Sequence, residues 1–420
     1  MPRRLAIACA QLVEGPTHEV PQEVEHADKP ERLDACLSGL LHLARQLRIL
    51  APRSATDEEL QLVHSKAQVA GLKRAQLAAS GGLVWLPVKG CLEKSSKADL
   101  LRARGFGQDT FLTSTSLDAA RQAAGGLFQL VDLSVTSGPA GGIALCRPPG
   151  HHAGPTSSTG FCLVNNVALA ARYALRRYPA LIKRVLIFDW DIHHGQGTQE
   201  VFWKDSRVLF VSMHLFSKGF YPASGSAQEV GVGRGLGYTV NVALPQGYTD
   251  ACLLCACQDV LVPAAERFRP DLLLVSAGFD AMDEDPLGEA KCTADGFARI
   301  TRLLNGLARK LCGGRLLLAL EGGYHEHALS SCLGLVAETL LHGDDTENFS
   351  SYAEKPLQAS LKAIWETRLA HRSLPLQLLD GCTWSRDLVP YNRFRKKQKC
   401  WHWRLPRDLS SDSDNCQKDI

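Results

Sequence analysis

One short apolar run constrains the fold of this chain more than any other feature. Residues 185–188 read Val-Leu-Ile-Phe and are bounded by charged residues on both sides. An uninterrupted apolar run of this length predicts a strand that is buried on both faces, as in the centre of a parallel sheet. Four ionisable side chains follow it immediately, at Asp189, Asp191, His193 and His194. Because such groups are costly to bury unless they are paired or bind a metal, they predict a metal site at the carboxyl end of this strand.

Short apolar runs separated by helical segments continue through most of the chain. Apolar residues recur at helical spacing in the segments between them, for example over 165–177 and 296–311. The further apolar runs, each bounded by turn residues, lie at 141–147, 208–214, 238–244, 271–280 and 315–324. This alternation predicts an α/β fold with a central, mainly parallel sheet and helices on both faces.

Helices are also expected outside this alternating part. Helical spacing predicts them over about 29–51, 57–63, 117–131 (interrupted at Gly125 and Gly126) and 357–370. The 14 cysteines are scattered, and the one tight group, Cys252, Cys255 and Cys257, falls on a helical stretch without a second pair at zinc-binding spacing. We expect this group to lie in the hydrophobic core of a protein from a reducing compartment.

The charge and hydropathy of the chain argue against two classes of partner. A formal net charge of +3 over 420 residues does not favour direct nucleic-acid binding, which needs a strong basic excess or a basic stripe. No apolar run approaches the length of a membrane span, so no membrane partner is expected. We expect the cytoplasm, the nucleus or both, and the short basic start with Arg3 and Arg4 leaves an organelle open.

Polar residues also follow other predicted strands, at the same end. His151 and His152 follow one run on a loop rich in glycine and proline, Asp280 ends a second run, and Tyr324 ends a third. The carboxyl ends of parallel strands lie at one edge of a sheet, where ligands of open α/β proteins bind. These side chains are therefore expected close to the polar cluster that follows residues 185–188.

Asp191, His193 and Asp280 are the candidate metal ligands. Asp191 and His193 are two positions apart and so share one side of an extended segment. Two carboxylates and one imidazole supply three protein ligands and leave a position open for water or substrate, as at a catalytic zinc. The oxygen-rich set also admits iron(II) or cobalt(II).

A metal of this kind activates water and polarises a carbonyl group. A nearby histidine can then act as general base and acid, because the ordinary pKa of histidine lies close to neutral pH. His151 and His152 are the candidates for this role. The carbonyl oxygen also needs a hydrogen-bond donor as charge develops on it, and Tyr324, which follows two glycines, fits that role.

Six motifs, taken in order along the chain, resemble the zinc-dependent histone deacetylases. They are RPPGHHA, GFCxxNN, DWDIHHGQG, VSMHxFxxGFYP, SAGFDAxxxDPLG and LEGGY. With HADKPERL and LQLVHS, which resemble the amino-terminal segment of the family, they cover roughly residues 26–340. The resemblance extends to acetylpolyamine amidohydrolases in the wider family, and DPLG, LEGGY and Gln196 resemble its class II branch. It implies a single arginase/deacetylase-like domain that uses Zn²⁺ to hydrolyse the acetyl amide of N6-acetyl-lysine in histones or other proteins.

The resemblance also implies residue roles, carried over position by position. It implies that the zinc ligands are Asp191, His193 and Asp280, in agreement with the choice above. The implied catalytic residues are His151, His152, Asp189 and Tyr324, with His152 as general base and acid and His151 paired with Asp189. The implied substrate-binding residues are Asp109, Gly160, Phe161, Tyr221 and Leu287. Potassium is also expected, at one site formed by Asp189, Asp191, His193, Ser212 and Met213 and at a second formed by Phe202, Asp205, Val208 and Tyr238.

Some substrate-binding positions carry information about specificity. Phe161 and Tyr221 match the aromatic walls of an acetyl-lysine channel, although the second is more often Phe, and Asp109 matches a carboxylate at the rim. Leu287 stands where relatives specialised for acetylpolyamines have glutamate. A carboxylate there would attract a cationic amine and leucine does not, so Leu287 favours acetyl-lysine in a protein over an acetylpolyamine.

Other functions make different demands on the sequence. An arginase-like ureohydrolase shares the fold but binds two manganese ions and needs an Asp-x-Asp pair, whereas Met282 stands two positions after Asp280. An acetylpolyamine amidohydrolase and a non-catalytic acetyl-lysine-binding scaffold remain as alternatives. The implied partners are acetylated lysines of histone or non-histone proteins, and corepressor or scaffold proteins are further candidates.

The motifs and the composition divide the chain into four parts. Residues 1–25 are an amino-terminal segment and 26–342 the catalytic domain. Residues 343–392 are a carboxyl-terminal helical extension, and 393–420 are a charged tail. The tail is first basic and then acidic, and such a charge run is expected to be disordered.

Overall fold

A central parallel sheet organises the chain in the computed structural model, which describes residues 4–10, 15–20, 25–79, 82–86, 109–137, 141–343 and 355–378. The predicted charged tail of 393–420 lies outside these residues. The eight strands of the sheet are β1 Leu5–Ala8, β2 Leu47–Leu50, β5 Gly142–Ala144, β6 Val185–Asp189, β7 Val208–Leu215, β8 Thr239–Leu244, β9 Leu272–Ala277 and β10 Leu316–Leu320. A separate antiparallel pair consists of β3 Val84–Trp85 and β4 Phe111–Leu112.

The order of strands across the sheet is β2-β1-β5-β10-β9-β6-β7-β8, and every pairing in it is parallel. The strand predicted from residues 185–188 is β6, which lies between β9 and β7 with all of its residues buried. Burial on both faces explains why its sequence is apolar without alternation. The predicted strands at 141–147, 208–214, 238–244, 271–280 and 315–324 are confirmed as β5, β7, β8, β9 and β10.

Helices cover both faces of the sheet, as predicted. They are α1 Glu31–Leu40, α2 Asp57–Leu60, α3 Lys66–Ala78, α4 Ser116–Thr136, α5 Asn166–Arg177, α6 Gln196–Phe202, α7 Asp250–Ala256, α8 Val262–Phe268, α9 Ala294–Cys312, α10 Glu326–His342 and α11 Gln358–Ala370. Residues of α3, α4 and α5 share one hydrophobic core with Val185 and Ile187 of β6. A second group of helices contains α9, which contacts β9 and β10, and α10, which packs against α1. Among the described residues, no helix combines the length and apolar character that crossing a membrane requires.

The helix predicted over 29–51 was wrong at its carboxyl end. The α-helix α1 ends at Leu40, a 3₁₀ segment follows over Leu41–Gln46, and residues 47–50 form strand β2. β2 pairs in register with β1, for example Ile49 with Ile7. Pairing with a strand from the start of the chain therefore overrides the helical pattern of the local sequence.

The predicted interruption of α4 is also wrong, because the helix runs unbroken through Gly125 and Gly126. A Cβ atom on Gly125 would lie 1.8 Å from the carbonyl oxygen of Arg53. Gly125 therefore lets the segment before α2 cross the helix closely, and its role is packing rather than helix termination.

Two other helical predictions, for the cysteine group and for residues 357–370, agree with the structure. The cysteine group lies on α7 and on the π-helical segment Cys257–Leu261 that joins it to α8, and all three thiols are buried, which confirms their core position. The predicted helix at 357–370 is α11, which packs against β8 and donates a hydrogen bond from Oγ1 of Thr367 to the Asn241 carbonyl oxygen at 2.7 Å.

Candidate active site

Four neighbouring strands bring the candidate site residues to one edge of the sheet. β5, β10, β9 and β6 lie side by side, and their carboxyl ends lead into the loops with the polar side chains. These loops carry, in the same order, His151 with His152, Tyr324, Asp280, and Asp191 with His193. Residues that are far apart in sequence therefore meet because their strands are parallel neighbours.

Asp191, His193 and Asp280 form one compact group. Nδ1 of His193 lies 3.1 Å from Oδ1 of Asp191 and 3.1 Å from Oδ2 of Asp280. One potential ligand atom from each residue lies within 4.8 Å of the other two. Within the described part of the chain, no other set of three or more His, Cys, Asp or Glu side chains has this spacing. Two carboxylates and an imidazole so arranged fit a single divalent cation.

Backbone N–H groups orient both carboxylates of this group. Ile192 N donates to Oδ1 of Asp280 at 2.9 Å, and Gly322 N donates to Oδ2 of Asp191 at 2.9 Å. Gly322 can approach this closely because it lacks a Cβ atom, which would lie 2.1 Å from Oδ2 of Asp280. The other oxygen of each carboxylate faces His193.

The electrostatics of this buried group favour a cation. Burial and the neighbouring Asp191 carboxylate raise the pKa of Asp280 to about 7. Burial alone would lower the pKa of His193, but the two carboxylates outweigh it and raise this pKa to about 10. Positive charge between the carboxylates is therefore stabilising. A divalent ion supplies that charge and requires the imidazole to be neutral, which is the form that binds metals.

His151 is paired with a carboxylate. Its Nδ1 lies 3.0 Å from Oδ2 of Asp189, and its Nε2 lies 3.8 Å from Oδ1 of Asp191. Burial lowers the pKa of His151, but these two carboxylates outweigh it and hold that pKa well above its ordinary value. The two carboxylates therefore favour the protonated form of His151, which has no free lone pair with which to act as a base.

His152 has a different partner and the opposite electrostatics. Its Nδ1 donates to Oε1 of Gln196 at 2.6 Å, so the neutral ring keeps the lone pair on Nε2. Burial and the neighbouring His151 and His193 hold the pKa of His152 well below its ordinary value. Of the two candidate bases, His152 is thus the one available to accept a proton. The role of Gln196 was missed from the sequence, although it lies two positions after His194 within the DWDIHHGQG motif.

Tyr324 lies between a buried arginine and an aromatic ring. The guanidinium carbon of Arg32 lies 4.8 Å from the centroid of the Tyr324 ring, and Phe161 meets that ring edge-on at 5.7 Å. Tyr324 N donates to Oδ2 of Asp285 at 2.6 Å. Burial raises the pKa of the Tyr324 phenol well above its ordinary value although Arg32 opposes the shift, so the hydroxyl stays protonated and can donate.

A buried ion cluster supports the loop that carries Tyr324, and sequence reasoning did not find it. Arg32 donates from Nε to the Gly323 carbonyl oxygen and from Nη2 to the Glu321 carbonyl oxygen, both at 2.6 Å. The carboxylate of Asp28 pairs with Arg32 and with Arg147, and all three side chains are buried. The signal available was the presence of Asp28 and Arg32 in HADKPERL, a motif noted only for its resemblance.

Aromatic rings flank the candidate catalytic side chains. Tyr221 meets the His152 ring edge-on, with ring centroids 4.9 Å apart, and Phe161, the other predicted wall, meets the Tyr324 ring edge-on at 5.7 Å. Phe220 stacks on His193 at 5.0 Å, a contact that sequence reasoning missed. Phe161 follows Gly160, and both have positive φ angles, of 66° and 56°.

Two further predicted substrate-binding residues, Asp109 at the rim and Leu287, have supporting contacts of their own. Oδ1 of Asp109 accepts from Gly160 N at 3.3 Å and from Oγ1 of Thr110 at 3.0 Å. Asp109 therefore holds the loop that carries Phe161. Leu287 is 38% exposed, and its N–H donates to Oδ1 of Asp285 at 2.9 Å. The contacts of Asp109 and Leu287 with a substrate stay predictions.

The predicted potassium-binding residues lie around β6 and β7. Asp189 and Ser212 face each other in these adjacent strands and are fully buried. The second set lies where the chain enters β7 and β8, at Phe202, Asp205, Val208 and Tyr238. Two carbonyl oxygens of that set accept backbone hydrogen bonds at 2.9 Å, Phe202 O from Asp205 N and Tyr238 O from Phe210 N. Potassium binding at either place stays a prediction.

Known proteins share both the sequence and the fold of this chain. Residues 26–340 match the histone deacetylase domain. Histone deacetylase 6 of Caenorhabditis elegans is 38% identical over 363 residues, which cover 82% of this chain and 36% of that protein. Polyamine deacetylase HDAC10 of Homo sapiens is 38% identical over 349 residues, which cover 82% of this chain and 48% of that protein. The crystal structure of the HDA15 HD domain is similar with a TM-score of 0.75 and 33% identity, covering 90% of this chain and 98% of that one.

The first two relatives are much longer proteins, and the chain spans between about a third and a half of their length. The domain match nevertheless extends over most of the chain and includes every motif quoted above. The likeness in fold extends to almost the whole of the compared domain. The resemblance to class II-like histone deacetylases is therefore confirmed, and this chain belongs to the histone deacetylase family.

Proposed function

We propose that this protein hydrolyses the acetyl amide of N6-acetyl-lysine in histones or other proteins, with one Zn²⁺ held by Asp191, His193 and Asp280. The observation that carries the proposal is the compact ligand group, with Nδ1 of His193 3.1 Å from both carboxylates. His152, with its pKa well below the ordinary value, belongs to the same edge of the sheet. A metal-ligand group beside a neutral histidine and a protonated tyrosine is the combination that amide hydrolysis needs.

The bound ion would act as a Lewis acid towards the scissile carbonyl and make water more acidic. The donor set of two carboxylates and one imidazole supports zinc, although it is less selective than a set with thiolates. His152 is the group that takes the proton from the attacking water, because its Nε2 keeps a lone pair while Nδ1 donates to Gln196. The same nitrogen then returns that proton to the departing lysine amine.

His151 and Tyr324 stabilise the negative charge that develops during the reaction. His151, held as a cation by Asp189, places positive charge beside the reacting centre without competing for the proton. Tyr324 donates its hydroxyl hydrogen to the carbonyl oxygen as negative charge develops there, which is typically worth about 3–4 kcal/mol of transition-state stabilisation. The pairing of a cationic and a neutral histidine separates the electrostatic role from the proton-transfer role.

Leu287 supports acetyl-lysine as the substrate rather than an acetylpolyamine. This exposed apolar side chain gives a cationic amine no charge to bind at that position. An acetylpolyamine is the second candidate, because two relatives with 38% and 40% identity carry the name polyamine deacetylase HDAC10. Glu289, which is exposed two positions after Leu287, is a carboxylate that could serve such a substrate.

Potassium ions and protein partners complete the proposal. We assign K⁺ to the two groups of predicted residues around β6 and β7, and the burial of Asp189 opposite Ser212 supports the first of them. The acetylated lysines of histone or non-histone proteins are the proposed partners at the active site. Corepressor or scaffold proteins are proposed as further partners on the basis of the family resemblance alone.

A substrate panel tests this proposal. Metal-loaded protein is assayed for acetate release from acetyl-lysine peptides, acetylspermidine and acetylputrescine, beside His152→Ala. We expect turnover of peptides, and a loss of about 10²- to 10⁴-fold in the variant with its metal content unchanged, because general base catalysis contributes that much. Leu287→Glu should shift the ratio of rates towards acetylspermidine. Equal turnover by His152→Ala would contradict its role, and inactivity of the wild-type protein on every substrate would contradict the proposed function.

A further inference from the structure

We propose that Tyr221 is a positioning residue for the general base, acting through Gln196, an inference that rests on the function proposed above. The hydroxyl of Tyr221 is the point of interest, because it forms hydrogen bonds that an aromatic channel wall does not require. A phenyl ring would supply the wall equally well. The hydroxyl therefore needs an explanation of its own, and its contacts supply one.

The hydroxyl is the middle of a chain of hydrogen bonds that ends at His152. Nδ1 of His152 donates to Oε1 of Gln196 at 2.6 Å, and Nε2 of Gln196 donates to the Tyr221 hydroxyl oxygen at 3.3 Å. The Tyr221 hydroxyl also lies 2.9 Å from Oγ1 of Thr159, to which it can donate its hydrogen. These three hydrogen bonds join the side chains of His152, Gln196, Tyr221 and Thr159 into one connected network.

Gln196 is the member of the network that needs support. Its side chain has more rotatable bonds than aspartate or asparagine, and it therefore loses more rotamer freedom when its amide is held in one place. It is the first residue of α6, and the oxygen of its terminal amide contacts His152. Hydrogen bonds at both ends of the amide, to His152 and to Tyr221, hold its plane where Oε1 faces Nδ1.

This arrangement determines which nitrogen of His152 carries the hydrogen. With Oε1 of Gln196 facing it, Nδ1 must be the protonated nitrogen of the neutral ring, and Nε2 is left with the lone pair. When the amide is free to move, the ring also samples orientations in which Nε2 is less well placed for the reacting water. Loss of the Tyr221 hydroxyl should therefore lower the rate of the chemical step rather than the affinity for substrate.

The hydroxyl of Tyr221 is also poorly placed to bind a substrate itself. Its ring meets the His152 ring edge-on at 4.9 Å, and its oxygen is already engaged by Gln196 and Thr159. A Cβ atom on Gly160 would lie 2.9 Å from that oxygen, which shows how closely the opposite loop packs against it. A direct role in substrate recognition would require these contacts to be broken.

The first test is Tyr221→Phe, which keeps the ring and removes only the hydroxyl. We expect kcat for an acetyl-lysine peptide to fall about twofold to tenfold, the effect of one neutral hydrogen bond, with KM unchanged within about twofold. Tyr178→Phe is the matched control, because it removes a hydroxyl that bonds to Asp132 at 2.8 Å, between α4 and the end of α5. This control should leave both kinetic constants unchanged.

A double-mutant cycle then separates positioning from other roles. In the Gln196→Ala background the added Tyr221→Phe substitution should change kcat by less than about 1.5-fold, because the group through which the hydroxyl acts is gone. Additive effects in the cycle, an unchanged kcat in Tyr221→Phe, or an effect confined to KM would each overturn the inference. These outcomes differ from failure of the proposed function, in which the wild-type protein would already be inactive on the peptide.

Discussion

At the scale of single residues, the site depends on how two adjacent histidines are made different. His151 pairs with Asp189 at 3.0 Å and has a raised pKa, whereas His152 donates to the neutral amide of Gln196 at 2.6 Å and has a lowered pKa. The centroids of the two rings lie 3.9 Å apart, so a positive charge on His151 disfavours a proton on His152. The partner of each ring thus favours His152 over His151 as the proposed base.

This difference predicts the pH dependence of activity and how to change it. A base is active when neutral, so activity falls as the pH drops through the pKa of His152, and a pKa below the ordinary value keeps activity at low pH. Gln196→Glu places a carboxylate against Nδ1 and raises that pKa, so the acid limb of kcat/KM should move up by about one to three pH units. The pH profile of kcat/KM measures the shift. An acid limb at the same pH in both proteins would contradict this account of His152.

Tyr324 provides a second prediction at the residue scale. Tyr324→Phe removes the hydroxyl but keeps the ring against Arg32 and the backbone bond to Asp285. We expect kcat to fall about 10²- to 10³-fold, the usual effect of removing one oxyanion donor, with the thermal unfolding temperature unchanged. Steady-state kinetics on an acetyl-lysine peptide measures the effect. A rate within about twofold of the wild type would rule out a major role for this hydroxyl.

At the scale of helices and strands, the packing of α4 makes the clearest prediction. Gly125→Ala introduces a Cβ atom 1.8 Å from the Arg53 carbonyl oxygen, and such overpacking costs about 1–3 kcal/mol or more. Gly71→Ala in α3 is the matched control, because its Cβ would meet only the end of the Arg74 side chain, at 4.0 Å. That control should stabilise the protein by about 0.5–1 kcal/mol through helix propensity.

Urea denaturation of the two glycine variants measures both effects. The midpoint should fall for Gly125→Ala and rise slightly for Gly71→Ala, with similar slopes for both proteins. Similar shifts in the two variants would show that Gly125 does not serve the close crossing of chain and helix.

Strands of the sheet interior were predictable from sequence, and those of one edge were not. β6, β9 and β10 are apolar throughout because both of their faces are buried, which is a strong local signal. β1 has only four residues, and β2 continues the helical spacing of α1. β2 depends on pairing with β1, and β1 on pairing with β2 and β5, which a local pattern does not contain.

The same distinction applies to the candidate site. The positions of Asp191, His193 and Asp280 could be predicted because they follow buried strands, and parallel strands end at one edge. Arg32 and Gln196 could not be assigned roles in this way. Arg32 lies in α1 and reaches the carbonyl oxygen of Gly323, 291 residues later in the chain, and Gln196 meets Tyr221 only through the tertiary fold. Contacts between loops depend on how the whole sheet places them.

At the scale of the whole molecule, the site exists only when the sheet is assembled. The order β5-β10-β9-β6 puts four consecutive strand ends beside one another, although β5 precedes β10 by more than 150 residues. The candidate ligands come from the ends of two of these strands, and the supporting N–H of Gly322 comes from a third. Metal binding and folding should therefore be coupled, because the unfolded chain does not hold the three ligands together.

The central claim is that one divalent ion on Asp191, His193 and Asp280 makes this protein an amide hydrolase. The most direct measurement is acetate release from an acetyl-lysine peptide as Zn²⁺ is added to protein first stripped by a chelator. We predict no turnover at the start, a rate that rises to a plateau at one ion per chain, and no recovery in His193→Ala. Full turnover by the stripped protein, or equal recovery in that variant, would contradict the claim.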